Sequence, residues 1–534
     1  MPQRQLLVAF LIVVTGVATE VQDRGAGPVL QSAQREGGLV LQSARRDGGP
    51  LDAIRREARE RSSAPLYAFQ LTDVHGPRLT GSREFRRAAA WVEQTLRDIG
   101  LDAVERLSAV SSEWAEPGWS YRRYAVRVVE PGFTTLDAIP SPWSTSIDGR
   151  LVGEPVLFQT PGRAGVPVDE IIARHKGKLK GKILMLADQI RPMTDAWRPV
   201  AEADLAFRRS ADADLALLRQ PAPPPAKPAT PPAAASQPPR VQRTREEEDA
   251  DTRRFYAFLK DEGVVAWLNP TIGNHGTIVA FGPFGRPGFN PPPPPGFNLS
   301  VESYNRILRL MQHGVSVKLE VELESELLDD QGHTSVLGEI RGTDLPNDIV
   351  LIGAHLDSWH VGAGATDNGA NCAVLMDAMR ILKVLKVPLA RTVRVALWAG
   401  EERGLRGSAA YVKRMAERPA EKLHLYLNAD SGAGRYRGLQ VQERGDFAPV
   451  AEDWLAPFRP DGQGFVSMRR SSGSDQVNFE RAGLPTAVFL QDPLYGPRTY
   501  HTNMDVYDYI VDEDLRQSAA LAAWVLYRAA NGGL

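Results

Sequence analysis

In the last 200 or so residues of the chain, short apolar runs alternate with longer amphipathic stretches. Ile349 to Ala354 predicts a strand and Ala370 to Leu385 a helix. Thr392 to Trp398 predicts a strand, Gly404 to Met415 a helix, and Leu423 to Asn428 and Thr486 to Leu490 two more strands. Asp512 to Ala530 closes with an amphipathic helix. Apolar strands alternating with helices predict a sheet covered on both faces, an α/β sandwich. Upstream, Leu51 to Ile99 is mostly helical in pattern, and its strongest amphipathic segment, Phe85 to Ile99, stops at Gly100. Tyr124 to Val129 predicts a strand.

Between residues 130 and 325 the rhythm changes to short β-like runs: Gly181 to Leu186, Gly263 to Leu268 and Val315 to Leu323. Proline-rich stretches at 220–239 and 291–295 predict extended, solvated surface loops. The mixed charge run from Arg240 to Arg254 predicts a solvated helix face.

The amino terminus has its own signature. Arg4 precedes an uninterrupted apolar run, Leu6 to Val14, and Gly16 and Ala18 supply the small residues of a cleavage site. This predicts a secretory signal peptide over 1–18, hence an exported protein, periplasmic or secreted. The run falls short of the roughly 20 residues of a spanning helix, so a membrane anchor is the lesser alternative, and no stable membrane insertion is expected after cleavage. The segment Val29 to Ala33 returns as Val40 to Ala44, and 19–50 is read as a disordered leader.

Composition changes the picture little. A chain of 534 residues with 43% hydrophobic and 24% charged residues predicts two or three soluble domains. A net charge of −2 without a strongly basic block gives no footprint for nucleic acid. Cys372 is the only cysteine, which excludes an intramolecular disulfide; among small neighbours it reads as a packing residue.

The chemistry gathers at the strand ends, where open α/β sheets build their sites. One strand runs into His355 and Asp357, and Asp367 follows at the mouth of a helix. The next ends in Glu401 and Glu402, another in Asp430, and Tyr500-His501 follows the last. Any one of these could be a helix cap, a turn former or a core histidine. Their coincidence at successive strand ends argues otherwise, and adjacent Glu401 and Glu402 after an apolar strand would repel each other without a cation. Imidazoles with carboxylates suit zinc, and the count fits two ions sharing a bridging carboxylate, Asp367.

These residues resemble the co-catalytic zinc aminopeptidases (metallopeptidase clan MH, aminopeptidase Y type), most of all the branch of plasma glutamate carboxypeptidase (carboxypeptidase Q). Leu71 to Gly81, the run His355-Leu-Asp-Ser-Trp-His and the run Gly364-Ala-Thr-Asp-Asn-Gly carry the similarity. The resemblance implies a three-layer α/β sandwich with a mixed, mostly parallel central sheet, the zinc exopeptidase fold, plus an inserted β-rich protease-associated-like domain. It divides the mature chain into 51–130 (first part of the peptidase domain), 131–325 (insert) and 326–534 (catalytic part). It implies two Zn2+ per chain, one held by His355, Asp367 and Asp430, the other by Asp367, Glu402 and His501. Glu401 would be the general base acting on a metal-bridging water, and Tyr500 a donor to the oxyanion. Asp357 would sit behind the ligands and accept the other ring N–H of His355. Small peptides with a free N-terminus would be the substrates, cut at the terminal bond, and a homodimer is the expected assembly. Loops near Ser471 and Asp492 to Arg498 would shape the specificity pocket.

One departure stands out: Ser474-Asp475-Gln476 has glutamine where the branch has histidine. Two rival readings are a glutaminyl-cyclase-like transferase using one zinc and a non-catalytic binding ectodomain. The complete set of six polar residues, His355, Asp367, Glu401, Glu402, Asp430 and His501, speaks against both.

Overall fold

The computed structural model describes residues 48–111, 116–158, 166–192, 209–220, 244–280, 288–329 and 332–534. The predicted signal peptide, the repeat that follows it and 221–239 of the proline-rich stretch lie outside them. Among the described residues, no helix is long and apolar enough to cross a membrane.

The central sheet has eight strands, in the order Ala103–Ser108, Thr334–Ile340, Arg391–Trp398, Leu345–His355, Lys422–Asn428, Thr486–Gln491, Tyr436–Gln440 and Phe465–Ser467. The four strands from Arg391–Trp398 to Thr486–Gln491 run parallel, and antiparallel pairings flank them on both sides. The sheet is therefore mixed and mostly parallel. The run Ile349 to His355 is buried residue after residue, as a parallel strand covered on both faces requires.

Helices form the two outer layers. On one face Ala370–Leu385, buried along nearly its whole length, packs with Asp512–Asn531, Arg83–Asp98 and Pro50–Arg61. On the other, Trp398, Tyr411, Tyr426 and Phe479 form an aromatic cluster under Arg406–Ala416 and Gln476–Arg481, with Tyr426 and Phe479 stacked at 3.9 Å. The Arg83–Asp98 helix forms where the pattern predicts it: Phe85, Ala88, Ala89, Val92 and Leu96 make one buried stripe. Ser82 Oγ accepts the N–H of Phe85 at its start, a cap worth about 1 kcal/mol.

A second eight-stranded sheet carries the insert. Its outgoing strand, Gly118–Glu130, and returning strand, Lys318–Leu328, pair antiparallel with Gly118 opposite Leu328, so the chain leaves and rejoins the layers of the central sheet at one place. The predicted strand at Tyr124 to Val129 thus belongs to the insert, not to the peptidase part that the sequence extends to residue 130. Periodicity shows that a strand forms, but not which sheet it joins. The insert is also less purely β than expected. Arg150–Leu157, Lys182–Met185, Ala266–Pro270 and Gly296–Leu299 pair in parallel, and the helices Val168–His175, Arg245–Glu262 and Val301–Gln312 accompany them. Parallel neighbours need crossovers, and the helices Val168–His175 and Arg245–Glu262 lie in the first two of them. The 291–295 prolines are not a solvated spacer either: the carbonyl of Pro295 accepts the N–H of Trp267 as the chain enters a strand.

Candidate metal centre

Four adjacent parallel strands deliver the predicted ligands to one edge of the sheet. His355 is the last residue of Leu345–His355. Beside it, Arg391–Trp398 runs into a tight turn that carries Glu401 and Glu402, closed by the N–H of Arg406 to the carbonyl of Gly400. On the other side, Lys422–Asn428 is followed by Asp430, and the N–H of Ala429 still reaches Gly353 O. Thr486–Gln491 is followed by the loop that ends in His501.

Among the described residues, two groups of donors could hold a metal ion: His355, Asp367 and Asp430, and Asp367, Glu402 and His501, the donor atoms of each within 4.8 Å of one another. Asp367 is shared. Its Oδ1 lies 3.0 Å from His355 Nε2 and its Oδ2 3.2 Å from His501 Nε2. Asp430 Oδ1 stands 3.5 Å from His355 Nε2, and Glu402 Oε2 3.1 Å from His501 Nε2. Glu401 belongs to neither group. These are the groupings that the family resemblance implies.

The residues fit metal ions. Three carboxylates converge on two imidazoles, and Glu402 Oε1 is buried without a hydrogen-bond partner. Such concentrated negative charge needs a cation. Burial alone would lower the pKa of His501, but the Glu402 and Asp367 carboxylates overcome it and push the imidazole up to about 10. Burial would raise Asp367, yet its bonds to His355 and His501 hold it below the usual carboxylate range. Burial pushes Glu401 well up; His355 opposes the shift, while Glu402, Asp430 and Asp475 reinforce it.

A buried scaffold supports the ligands. The Nδ1 of His355 faces the main-chain oxygen of Asp357 at 2.8 Å, while the nearer carboxylate oxygen is 3.8 Å away. The sequence expectation thus names the right residue, and the structure gives the contact to its carbonyl. The Asp357 carboxylate instead accepts the N–H groups of Glu401 (3.2 Å) and Glu402 (3.3 Å) and the hydroxyl of Thr80 (2.6 Å). Arg78, fully buried, donates to four main-chain oxygens, those of Leu71, Leu356, Ala363 and Gly364. It thereby fixes both ends of the loop joining His355 to Asp367. Asn368 donates to the carbonyl of Ala429 at 2.9 Å, tying the Asp367 and Asp430 loops together. Gly432, at φ +153, abuts the carbonyl of Asp492, where a Cβ would come within 2.8 Å. Cys372 is inert packing: its buried thiol donates to the carbonyl of His355, and burial pushes its pKa up to about 12.

His501 has φ +56, left-handed backbone that costs a non-glycine residue about 1–2 kcal/mol. Tyr500 stacks on the His501 ring, centroids 3.7 Å apart, which places it beside the donors. Gln476 is buried and accepts from Asn428 Nδ2 at 3.0 Å, so the departure from histidine serves a hydrogen bond behind the Asp430 loop. Its Nε2 lies 3.4 Å from Ser471 Oγ. Asp492 is buried against Arg437 at 3.0 Å and so anchors the start of the 492–498 loop. Asp475, fully buried and bonded to Ser408, is pushed up to about 7 by burial, with Asp430 and Asp357 adding to the shift.

Sequence reasoning gave no role to Arg78, Thr80, Asn368 or Asp475. Arg78 and Thr80 lie inside the Leu71 to Gly81 run, but their burial, which gives them their role, is visible only in the structure.

Comparison with known proteins agrees with this geometry. Residues 335–526 match the profile of Peptidase family M28. Carboxypeptidase Q of Homo sapiens is 26% identical over 233 residues, 44% of this chain and 49% of that protein. Aminopeptidase YwaD of Bacillus subtilis is 28% identical over 221 residues, 39% of this chain and 48% of that protein. The chain thus spans about half the length of the curated relatives it matches. Among solved structures, a peptidase M28 precursor from Shewanella amazonensis superposes with a TM-score of 0.60 at 22% identity, covering 93% of this chain and 98% of that one. A zinc aminopeptidase from Bacillus subtilis gives 0.51 at 18% identity, covering 87% and 94%. The two share the fold of this protein.

Proposed function

Because residues 335–526 match the profile of Peptidase family M28, we propose that the chain is a zinc-dependent exopeptidase that removes a terminal residue from dipeptides or short peptides with a free N-terminus. One observation carries the reading: Asp367 is shared by two complete donor triads. His355, Asp367 and Asp430 would hold one zinc ion, and Asp367, Glu402 and His501 the other. When bound, two such ions lower the pKa of an attacking water toward neutrality and polarise the scissile carbonyl.

Glu401 is the general base. It lies outside both triads, next to Glu402, which leaves its carboxylate to accept a proton. It takes the proton of the attacking water as the water oxygen bonds to the scissile carbon. It returns that proton to the amide nitrogen as the C–N bond breaks, leaving an acid and a free amine. The Tyr500 hydroxyl, on a ring stacked against His501, donates to the carbonyl oxygen as negative charge develops there. The free α-amine of a substrate finds compensating charge among the site carboxylates, which favours cleavage at the terminal bond. Two complete triads speak against a cyclase-like enzyme with one zinc.

The test compares wild type with Glu401→Gln for zinc content and for hydrolysis of a panel of free and N-acetylated short peptides. Both forms should hold about two zinc ions per chain. The variant should lose about 10²- to 10⁴-fold in kcat, and N-acetylation should block the wild type. Wild type that holds zinc but cleaves no peptide would refute the proposed activity.

A further inference from the structure

The insert does more than sit beside the peptidase layers; it grips the loop that carries His501. The carbonyl of His501 accepts the N–H of Ala280 at 2.8 Å. Val279 and Thr502 form an antiparallel bridge. Asn503 closes the clamp three ways: its N–H donates to Ile278 O at 3.1 Å, its Oδ1 accepts Ile278 N–H at 2.7 Å, and its Nδ2 donates to Gly276 O at 3.1 Å. All these bonds span the boundary between insert and peptidase layers.

The grip matters because of what it holds. His501 has φ +56, a left-handed backbone that an L-residue keeps only when its surroundings impose it. Its Nε2 must at the same time meet both Asp367 and Glu402. On the peptidase side, Gly362 lets the loop before Asp367 approach Thr502, where a Cβ would fall 2.5 Å from the carbonyl oxygen. The clamp is shielded on its main-chain side, where Ile278, Val279 and Ala280 are buried, while Asn503 and Gly276 are half-buried. Ile278 and Ala280 pack with Ile139 and Val361 in one buried cluster, Trp359 lies against it, and the Trp359 and His501 rings are 5.9 Å apart. A hydrogen bond shielded from water in this way holds its geometry more firmly than an exposed one. By contrast, His355 and Asp430 follow central strands and are held by the sheet itself.

We propose that the insert is a working part of the metal centre: its 276–280 segment holds His501 in place through Asn503, so loosening this clamp weakens one metal site and spares the other. The inference rests on the two-metal reading above, and Asn503 is a positioning residue, not a catalytic one.

The experiment titrates metal-free wild type, Asn503→Ala and Asn503→Asp with Zn2+ against a chromophoric chelator, and follows the absorption of the Co2+-substituted forms. Wild type should bind two ions. Asn503→Ala should keep one at wild-type affinity and bind the other at least about tenfold more weakly, the scale of losses on removing a group that orients a ligand. Asn503→Asp keeps the acceptor for Ile278 N–H and should fall between the two; it carries the same measurement if Asn503→Ala does not fold. Ala280→Pro, which removes the donor to His501 O, should repeat the selective loss. Equal weakening of both sites, or no weakening in a folded variant, would overturn the clamp while leaving the two-metal reading intact. Wild type that binds no metal would overturn that reading and the clamp together.

Discussion

The hydroxyl of Thr80 donates to Oδ2 of Asp357 at 2.6 Å, joining the amino-terminal segment to the carboxylate on which the Glu401-Glu402 turn rests. Asp357→Asn would aim an amide N–H at one of the N–H groups or at the hydroxyl that the carboxylate now satisfies. A loss of about 10- to 100-fold in zinc affinity or kcat is expected, with Thr80→Val smaller in the same direction. Chelator competition and steady-state kinetics measure both. Unchanged values in Asp357→Asn would mean that the turn stands without this support.

Removing metal should expose a pH dependence. The folded pKa of His501, about 10, lies above the ordinary histidine value of 6.5. The imidazolium therefore adds stability that is fully present below about pH 6.5 and lost as pH rises through about 10. In chelator, Tm should fall between about pH 7 and pH 9.5. With zinc restored the fall should shrink, because the ion replaces the proton. Binding should also release protons, readable from the buffer dependence of the calorimetric heat.

Arg380 is buried between Glu57 and Asp377, at 2.6 Å from each. Cutting it to Ala leaves Asp377 without its cation, and Glu57 with Arg61 alone, in the core that seats the Pro50–Arg61 helix. A loss of about 3–5 kcal/mol is expected, read from chemical denaturation. A double change that also replaces Glu57 by Gln should recover part of it.

Cys372 should resist thiol reagents. Its side chain is fully buried, bonded to His355 O, and its pKa is pushed up to about 12. Native protein should give almost no reaction with a disulfide reagent at neutral pH, and one thiol per chain in denaturant. Fast labelling of the native form would contradict this packing.

Much of the site was legible because ligand types and strand ends coincide in sequence. Asp430 and Glu402 each follow an apolar strand within a few residues, and the Ala370–Leu385 helix falls where its pattern predicts. The strands Tyr436–Gln440 and Phe465–Ser467 were not legible: they are short, and one is an edge strand whose pattern is set by neighbours far along the chain. The support of Asp357 was half legible. The family resemblance points to the residue, but only the loop's path decides that its carbonyl, not its carboxylate, faces His355 Nδ1. The hold of the insert on His501 leaves little mark, since on the insert side every bond, from Asn503 as from the main chain, meets backbone atoms of Gly276, Ile278 and Ala280 that are blind to side-chain identity.

Arg78 has a consequence for how the protein comes into being. Three of its acceptors, on Leu356, Ala363 and Gly364, lie 278 to 286 residues downstream. During synthesis the amino-terminal segment must wait, its guanidinium still hydrated, until the whole insert and the strand ending in His355 have left the ribosome. Such long-range closure is slow compared with local helix formation. The two donor triads therefore cannot assemble on a nascent chain that stops short of Gly364, and one that stops short of His501 would carry most of its residues but only one triad.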